Sequence, residues 1–590
     1  MKKVLVCETT AVTLELESES WQVCGSVRRP EPQVMEYVYE LTCAEASPVP
    51  HLRLAWTFPA VDICGRWTPS AYRSRTLPPN WGGPMHTELG ISAPVMTLFN
   101  QEGVNRETLA FSDAMSPVRM KCGVNEKTAL MDCSVEAFWT AGAPVTSYRF
   151  TLRLDCRPVR YEAALGAVSS WWASMSAYAP CPVPAEARQP VYSSWYVFHQ
   201  DLQDTVIEEE CALAKPYGME SIIVDDGWQT EDNHGGYAYC GDWEMCLKRF
   251  PDMASHVAKV HALGMKYVLW YSMPWVGVKS RNYERFQGRY LYVNRGLGAA
   301  ALDPRFPEVR EFLIGIYETA MREWDLDGFK LDFIDSFRFE GADPAVAEDY
   351  AGRDCKSLAE GVDRLLTGTM ERLRAMKPEV MIEFRQSYIG PAMRKYGNMF
   401  RSGDCPADYV TNRVHTLDIR MLAGSTTVHA DMLMWNRDET AAQASRQLTN
   451  ILFSVPQVSV RLKEIPAEHR AMLSFYLRLW RENSDLLLDG ELRAEQPENC
   501  FPMVSASKGR RQLTAVYAGR QLVPFEAPAG GELIVVNAGG EGWVTLELSG
   551  APVRSVACFD CCGRRVELSA PSAGLSRVAV PDGGVLKLYF

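Results

Sequence analysis

The chain has 590 residues, 47% of them hydrophobic and 23% charged, which is enough for several domains and unlike a disordered or fibrous protein. Acidic residues outnumber basic ones 73 to 61, and the resulting net charge of −12 speaks against nucleic acid as a partner. Nine histidines without an HExxH, and an odd 17 cysteines without a repeated CxxC, argue against a metal site and for reduced thiols in a cytoplasmic protein.

The opening MKKVLVCETTAVTLELE puts two lysines before Val4–Cys7, but Glu8 ends that apolar run well short of a secretory signal. The alternation that follows predicts a β-strand instead. No apolar run is long enough to cross a membrane. Residues 1–165 continue in period-2 segments such as Thr146–Asp155, punctuated by Pro and Gly, and predict an N-terminal β-sandwich. Residues 166–190, ending in CPVPAEARQPV, read as a connection.

Over 191–495 the texture changes to short apolar runs alternating with helical stretches. Expected strands are 191–198, 221–228, 266–273, 328–334, 379–386, 398–404, 426–433 and 455–460, with helices such as 202–216, 307–324 and 357–376 between them. Eight such units predict a (β/α)₈ barrel. Residues 496–590 return to alternating segments with glycine turns and predict a small C-terminal β-sandwich.

In such a barrel the chemistry lies where the strands end. Strand two ends in Asp225-Asp226-Gly227-Trp228, strand three runs into Trp270, and strand four carries Lys330 and Asp332 on one side. Strand five carries Glu383 and Arg385, strand six ends in Arg401-Ser402-Gly403-Asp404, and strand seven carries His429 and Asp431. Charges gathered on one rim must pair or meet water or ligand. Two carboxylates, one ionised and one protonated, suffice to hydrolyse a glycosidic bond without a metal or cofactor. Lys330 keeps Asp332 ionised, whereas negative neighbours are expected to raise Asp404. Asp408, Asp418 and Asp431 compete with Asp404 for the proton-carrying role. Asp335 reads as a helix cap or a surface carboxylate, and His429 as a structural histidine.

These motifs together resemble glycoside hydrolase family 36, the bacterial α-galactosidases. The resemblance implies that Asp332 is the catalytic nucleophile and Asp404 the general acid/base. It also implies that Asp225, Asp226, Trp270, Lys330 and Arg401 form the sugar pocket, with Trp67 of the N-terminal domain lent to it. Two features depart from the family pattern. The strand-five segment Glu383–Tyr388 lacks the usual glycine run, which leaves Arg385 open between the sugar and a structural pairing. Arg401 and Asp404 are three residues apart rather than four.

The expected substrate is a carbohydrate with a terminal α-galactosyl group, with no nucleic-acid or membrane partner. A homo-oligomer is an open alternative to a monomer. Other readings are an α-N-acetylgalactosaminidase, another α-glycosidase or transglycosylase on the same barrel, or a carbohydrate-binding protein without turnover.

Overall fold

The computed structural model describes residues 1–7, 10–139, 142–232 and 234–590. At the N-terminus, alternation becomes two six-stranded sheets. One runs in the order Lys2–Cys7, Thr10–Leu16, Leu52–Pro59, Leu130–Ala137, Val118–Val124, Met85–Thr87. The other runs Gln22–Glu31, Val34–Ser47, Val145–Asp155, Asn105–Phe111, Val95–Phe99, Gly65–Trp67. The sheets share a core around Trp21, Tyr37, Trp56 and Phe150, as a sandwich requires. Glu8 and Thr9, part of the first expected strand, lie outside the described residues.

The second sheet has a further apolar set, with Trp67, Val95, Phe99 and Ala110, that joins the core of the barrel. The segment after it is more than a connection. The helix Tyr161–Ala173 buries Ala164, Leu165, Val168 and Trp172 at helical spacing, and Trp172 Nε1 donates to the Phe111 carbonyl at 3.1 Å.

Eight parallel strands follow: β1 (Val191–Ser193), β2 (Ser221–Val224), β3 (Lys266–Ser272), β4 (Gly328–Asp332), β5 (Met381–Arg385), β6 (Met399–Arg401), β7 (Thr427–His429) and β8 (Gln457–Val458). Neighbours pair in order from β1 to β7, and β8 pairs with β1. Isolated bridges His429–Val455 and Leu433–Val458 bring β7 and β8 together, which closes the ring. The expected strand over 191–198 is shorter here. After Ser193 the chain turns into a short helix, Trp195–Phe198, and Ser194 Oγ accepts from Asp225 N at 2.9 Å. Its aromatic residues suggested a strand, but they lie on the rim. A three-stranded sheet, Trp275–Gly277, Tyr290–Asn294 and Ala299–Leu302, is inserted between β3 and β4.

The C-terminal part pairs a seven-stranded sheet with a three-stranded one around Val523, Leu533, Val535, Leu546 and Leu586. Among the described residues no helix is long and apolar enough to cross a membrane.

Candidate active site

Parallel pairing brings the ends of the barrel strands to one rim, and alternation decides which side chains point into it. Lys330 lies opposite Trp270 on β3 and Glu383 on β5, while Asp332 lies opposite Ser272. Arg385 and Arg401 are paired across β5 and β6, and Arg401 faces His429 on β7. The turn after β2 depends on Gly227, whose φ is +114° and where a Cβ would come within 2.6 Å of Gln200 Cα.

Asp332 sits at the centre of this rim. Its Oδ1 accepts from Arg385 Nε at 2.7 Å, Tyr388 OH at 2.7 Å and Phe333 N at 2.8 Å, while Oδ2 accepts from Trp270 Nε1 at 3.0 Å. Burial alone would push this carboxyl up. The Arg385 and Lys330 charges, with the Trp270 and Tyr388 hydrogen bonds, instead hold it well below the usual carboxylate range.

Lys330 Nζ binds Asp225 Oδ2 at 2.6 Å, with both side chains 4% exposed. Asp226 accepts from Gln200 Nε2 at 2.7 Å and Gln229 Nε2 at 2.6 Å, and burial raises it to about 6. Two adjacent carboxylates thus meet opposite environments, one facing a cation and the other facing amides.

Arg401 links three carboxylates. It reaches Asp404 through Nη2 at 2.9 Å, Asp431 through Nη1, and Glu383 through Nε at 3.5 Å. Asp404 is the open member, with 52% of its side chain exposed. Its carboxyl is lowered rather than raised as expected: burial acts upward, but Arg401 and then Lys330 and Arg385 outweigh it. The expectation counted the negative neighbours and overlooked the three cations.

The competing carboxylates are occupied. Asp431 is fully buried and accepts from Tyr196 OH at 2.8 Å and Cys405 N at 2.7 Å. Asp408 caps the helix Tyr409–Ala423 through Thr411 N and pairs with Arg73. Asp418, on that same helix, takes both oxygens to Arg75 and accepts from Trp67 Nε1 at 2.8 Å. Trp67 is therefore not brought to the rim. Its indole is fully buried and pins the sandwich to the barrel. Asp335 is neither a helix cap nor a surface group. It accepts from Ser387 Oγ at 3.1 Å, and burial raises it beside Arg385 and Asp332. His429 is buried with Nε2 on the Ala187 carbonyl at 2.8 Å, as a structural histidine would be.

Tyr388, Gln200 and Gln229 escaped the sequence reading. Tyr388 was the easiest of them to find, three residues beyond Arg385 in the loop already singled out.

Residues 183–337, which hold β1 to β4 and Asp332, match the Melibiase family. Alpha-galactosidase Mel36A of Lactobacillus acidophilus is 29% identical over 148 residues, 24% of this chain and 19% of that protein. The A type blood alpha-D-galactosamine galactosaminidase of Flavonifractor plautii is 25% identical over 175 residues, 26% of this chain and 15% of that protein. These matches span less than two thirds of either relative. The GH36 alpha-galactosidase AgaB of Geobacillus stearothermophilus shares the fold over all of this chain (100%) and 84% of its own, with a TM-score of 0.67 at 13% identity. The resemblance to glycoside hydrolase family 36 drawn from the motifs thus returns in the family match and in the architecture.

Proposed function

We propose that this chain, a relative of the family 36 α-galactosidases, is a retaining exo-α-galactosidase with Asp332 as nucleophile and Asp404 as general acid/base. The observation that carries the reading is the set of four donors around Asp332, which keeps a buried carboxylate ionised. Oδ1 holds three of those hydrogen bonds and Oδ2 one, so Oδ2 is the oxygen freer to attack the anomeric carbon.

Asp404 then gives its proton to the leaving oxygen, and the C1–O bond breaks as the Oδ2–C1 bond forms. In the second half, Asp404 takes a proton from water, whose oxygen displaces Asp332. Two inversions give net retention. Arg401 keeps Asp404 ionised while its carboxylate faces water. A substrate covering its exposed half removes water from the carboxylate and favours the protonated form. Asp225, Asp226 and Lys330, with Arg401 behind them, are suited to the hydroxyls of one terminal sugar. Their burial makes that end of the pocket blind, which favours exo action.

A second reading has a specific observation behind it. Strand five supplies Arg385 where a glycine run was expected, and one relative is a galactosamine galactosaminidase. The same chemistry on an α-N-acetylgalactosaminide is that alternative.

The test is p-nitrophenol release from the α-galactoside by wild type and by Asp332→Ala. Release by wild type, its loss in the variant, and rescue by azide giving the β-galactosyl azide are expected. Rescue giving the α-azide would overturn the assignment of the nucleophile. Release only from the α-N-acetylgalactosaminide would select the alternative.

A further inference from the structure

Among the segments by which the sandwich reaches the rim is the loop over residues 66–75. Arg66 N donates to the Arg75 carbonyl at 3.0 Å and closes its base. Arg73 and Arg75 then clamp it to the helix Tyr409–Ala423, through Asp408 and Asp418 respectively. Immediately before the Arg73 clamp lies Tyr72, with φ at +52°, a left-handed backbone that an aromatic residue adopts only when its surroundings impose it. Although its backbone is clamped on one side, the side chain is not buried: Tyr72 remains 41% exposed.

Its position bears on the reaction. The ring packs on His415 with centroids 4.6 Å apart, and His415 Nδ1 lies 3.4 Å from Ser402 Oγ, two residues before Asp404. The phenol also lies within the fields of Asp335 and Arg385, on the strand-four and strand-five side. Tyr72 therefore stands beside the Asp404 segment, on the side that faces strands four and five. A general acid must sit against the leaving oxygen, so the leaving group departs past the end of β6. An exposed aromatic ring beside that path suits the apolar face of a sugar ring.

We infer that Tyr72 is a specificity-determining residue, the platform on which the leaving-group sugar of the substrate stacks. The inference rests on the galactosidase reading above. It assigns recognition of the aglycone to the N-terminal sandwich, which otherwise only buttresses the barrel. The strain at Tyr72 is kept because a ring placed there binds part of the substrate.

The test compares two substrates that share the galactosyl group and differ in what leaves. Raffinose releases a disaccharide, whereas α-galactosyl fluoride releases fluoride and has no sugar to stack. In Tyr72→Ala the ratio of kcat/KM on raffinose to that on the fluoride is expected to fall about tenfold. Tyr72→Trp is expected to hold the ratio near that of wild type. An equal fall on both substrates, or no fall on either, would overturn the inference and leave the galactosidase reading standing. A wild-type protein that turns over neither substrate would overturn that reading and the inference with it.

Discussion

Both ends of the barrel carry charge clusters beside open space. Below β3 and β4 a cavity of about 600 Å³ is lined by Glu186, His261, Lys266, Asp325, Asp327 and Lys377. There Asp327 accepts from His261 Nε2 at 2.7 Å, Tyr267 N at 2.9 Å and Lys266 Nζ at 3.3 Å, with Lys377 at 3.6 Å. These partners outweigh burial and lower it. At the other end, carboxylates crowded onto one rim are pushed apart, with Asp332 and Asp404 lowered and Asp226 and Asp335 raised. Charge density therefore does not mark a site, because satisfied charges at the lower end make a stable floor. The proposed pair, Asp332 and Asp404, is lowered at both members, so the separation that acid–base chemistry uses is left to substrate, which covers the exposed Asp404.

Substitutions at the two ends should expose this difference. The largest effect is expected from Lys330→Met, which leaves Asp225 buried and unpaired. It should cost about 3–5 kcal/mol in denaturant unfolding and roughly a thousandfold in kcat/KM. A small loss in both would mean that the upper pair is structural, as at the lower end. Arg385→Gln comes next. Removing the cation raises Asp332, so the acidic limb of the kcat/KM–pH profile should move to higher pH by about one unit or more. An unmoved limb would remove Asp332 as the group that must be ionised.

At the lower end, Asp327→Asn should lose about 1–3 kcal/mol of stability with kcat/KM within about twofold of wild type. Because folding lowers the Asp327 carboxyl, its contribution is complete above the ordinary carboxylate range and is lost as pH falls through the lowered value. The gap between wild type and variant should therefore be full at about pH 7 and shrink below about pH 4 in unfolding titrations. The smallest effect is expected for Asp408→Ala, about 1 kcal/mol for a lost cap, with p-nitrophenyl α-galactoside turnover within about twofold. Loss of turnover there would reopen the choice of proton donor.

What the sequence disclosed follows the same division. Strand alternation put Lys330 with Asp332 and Glu383 with Arg385, because a period of two needs no knowledge of tertiary structure. The barrel was legible from its runs, such as Ser221–Val224, whose residues are buried on both faces and apolar from Ile222 on. Properties set by distant partners were not legible. The lowering of Asp404 comes from Arg401, Lys330 and Arg385, three cations on three different strands. The burial of Trp67 against Asp418 spans 351 residues. The helix Tyr161–Ala173 was hidden among small residues and tryptophans that mimic a linker until a sandwich and a barrel are set on either side of it.

The clamp on the helix Tyr409–Ala423 has a consequence for how the chain is made. Arg75 and its partner Asp418 are 343 residues apart, and both are 1% exposed in the finished protein. At a synthesis rate of about 5–20 residues per second, the sandwich waits roughly 20–70 s on the ribosome before that partner exists. Through that interval it presents an arginine and a tryptophan with nothing to receive them. The N-terminal sandwich is thus made before the barrel and completed only with it. Its final closure reports that the helix carrying Asp418, just beyond the proposed proton donor, has been delivered.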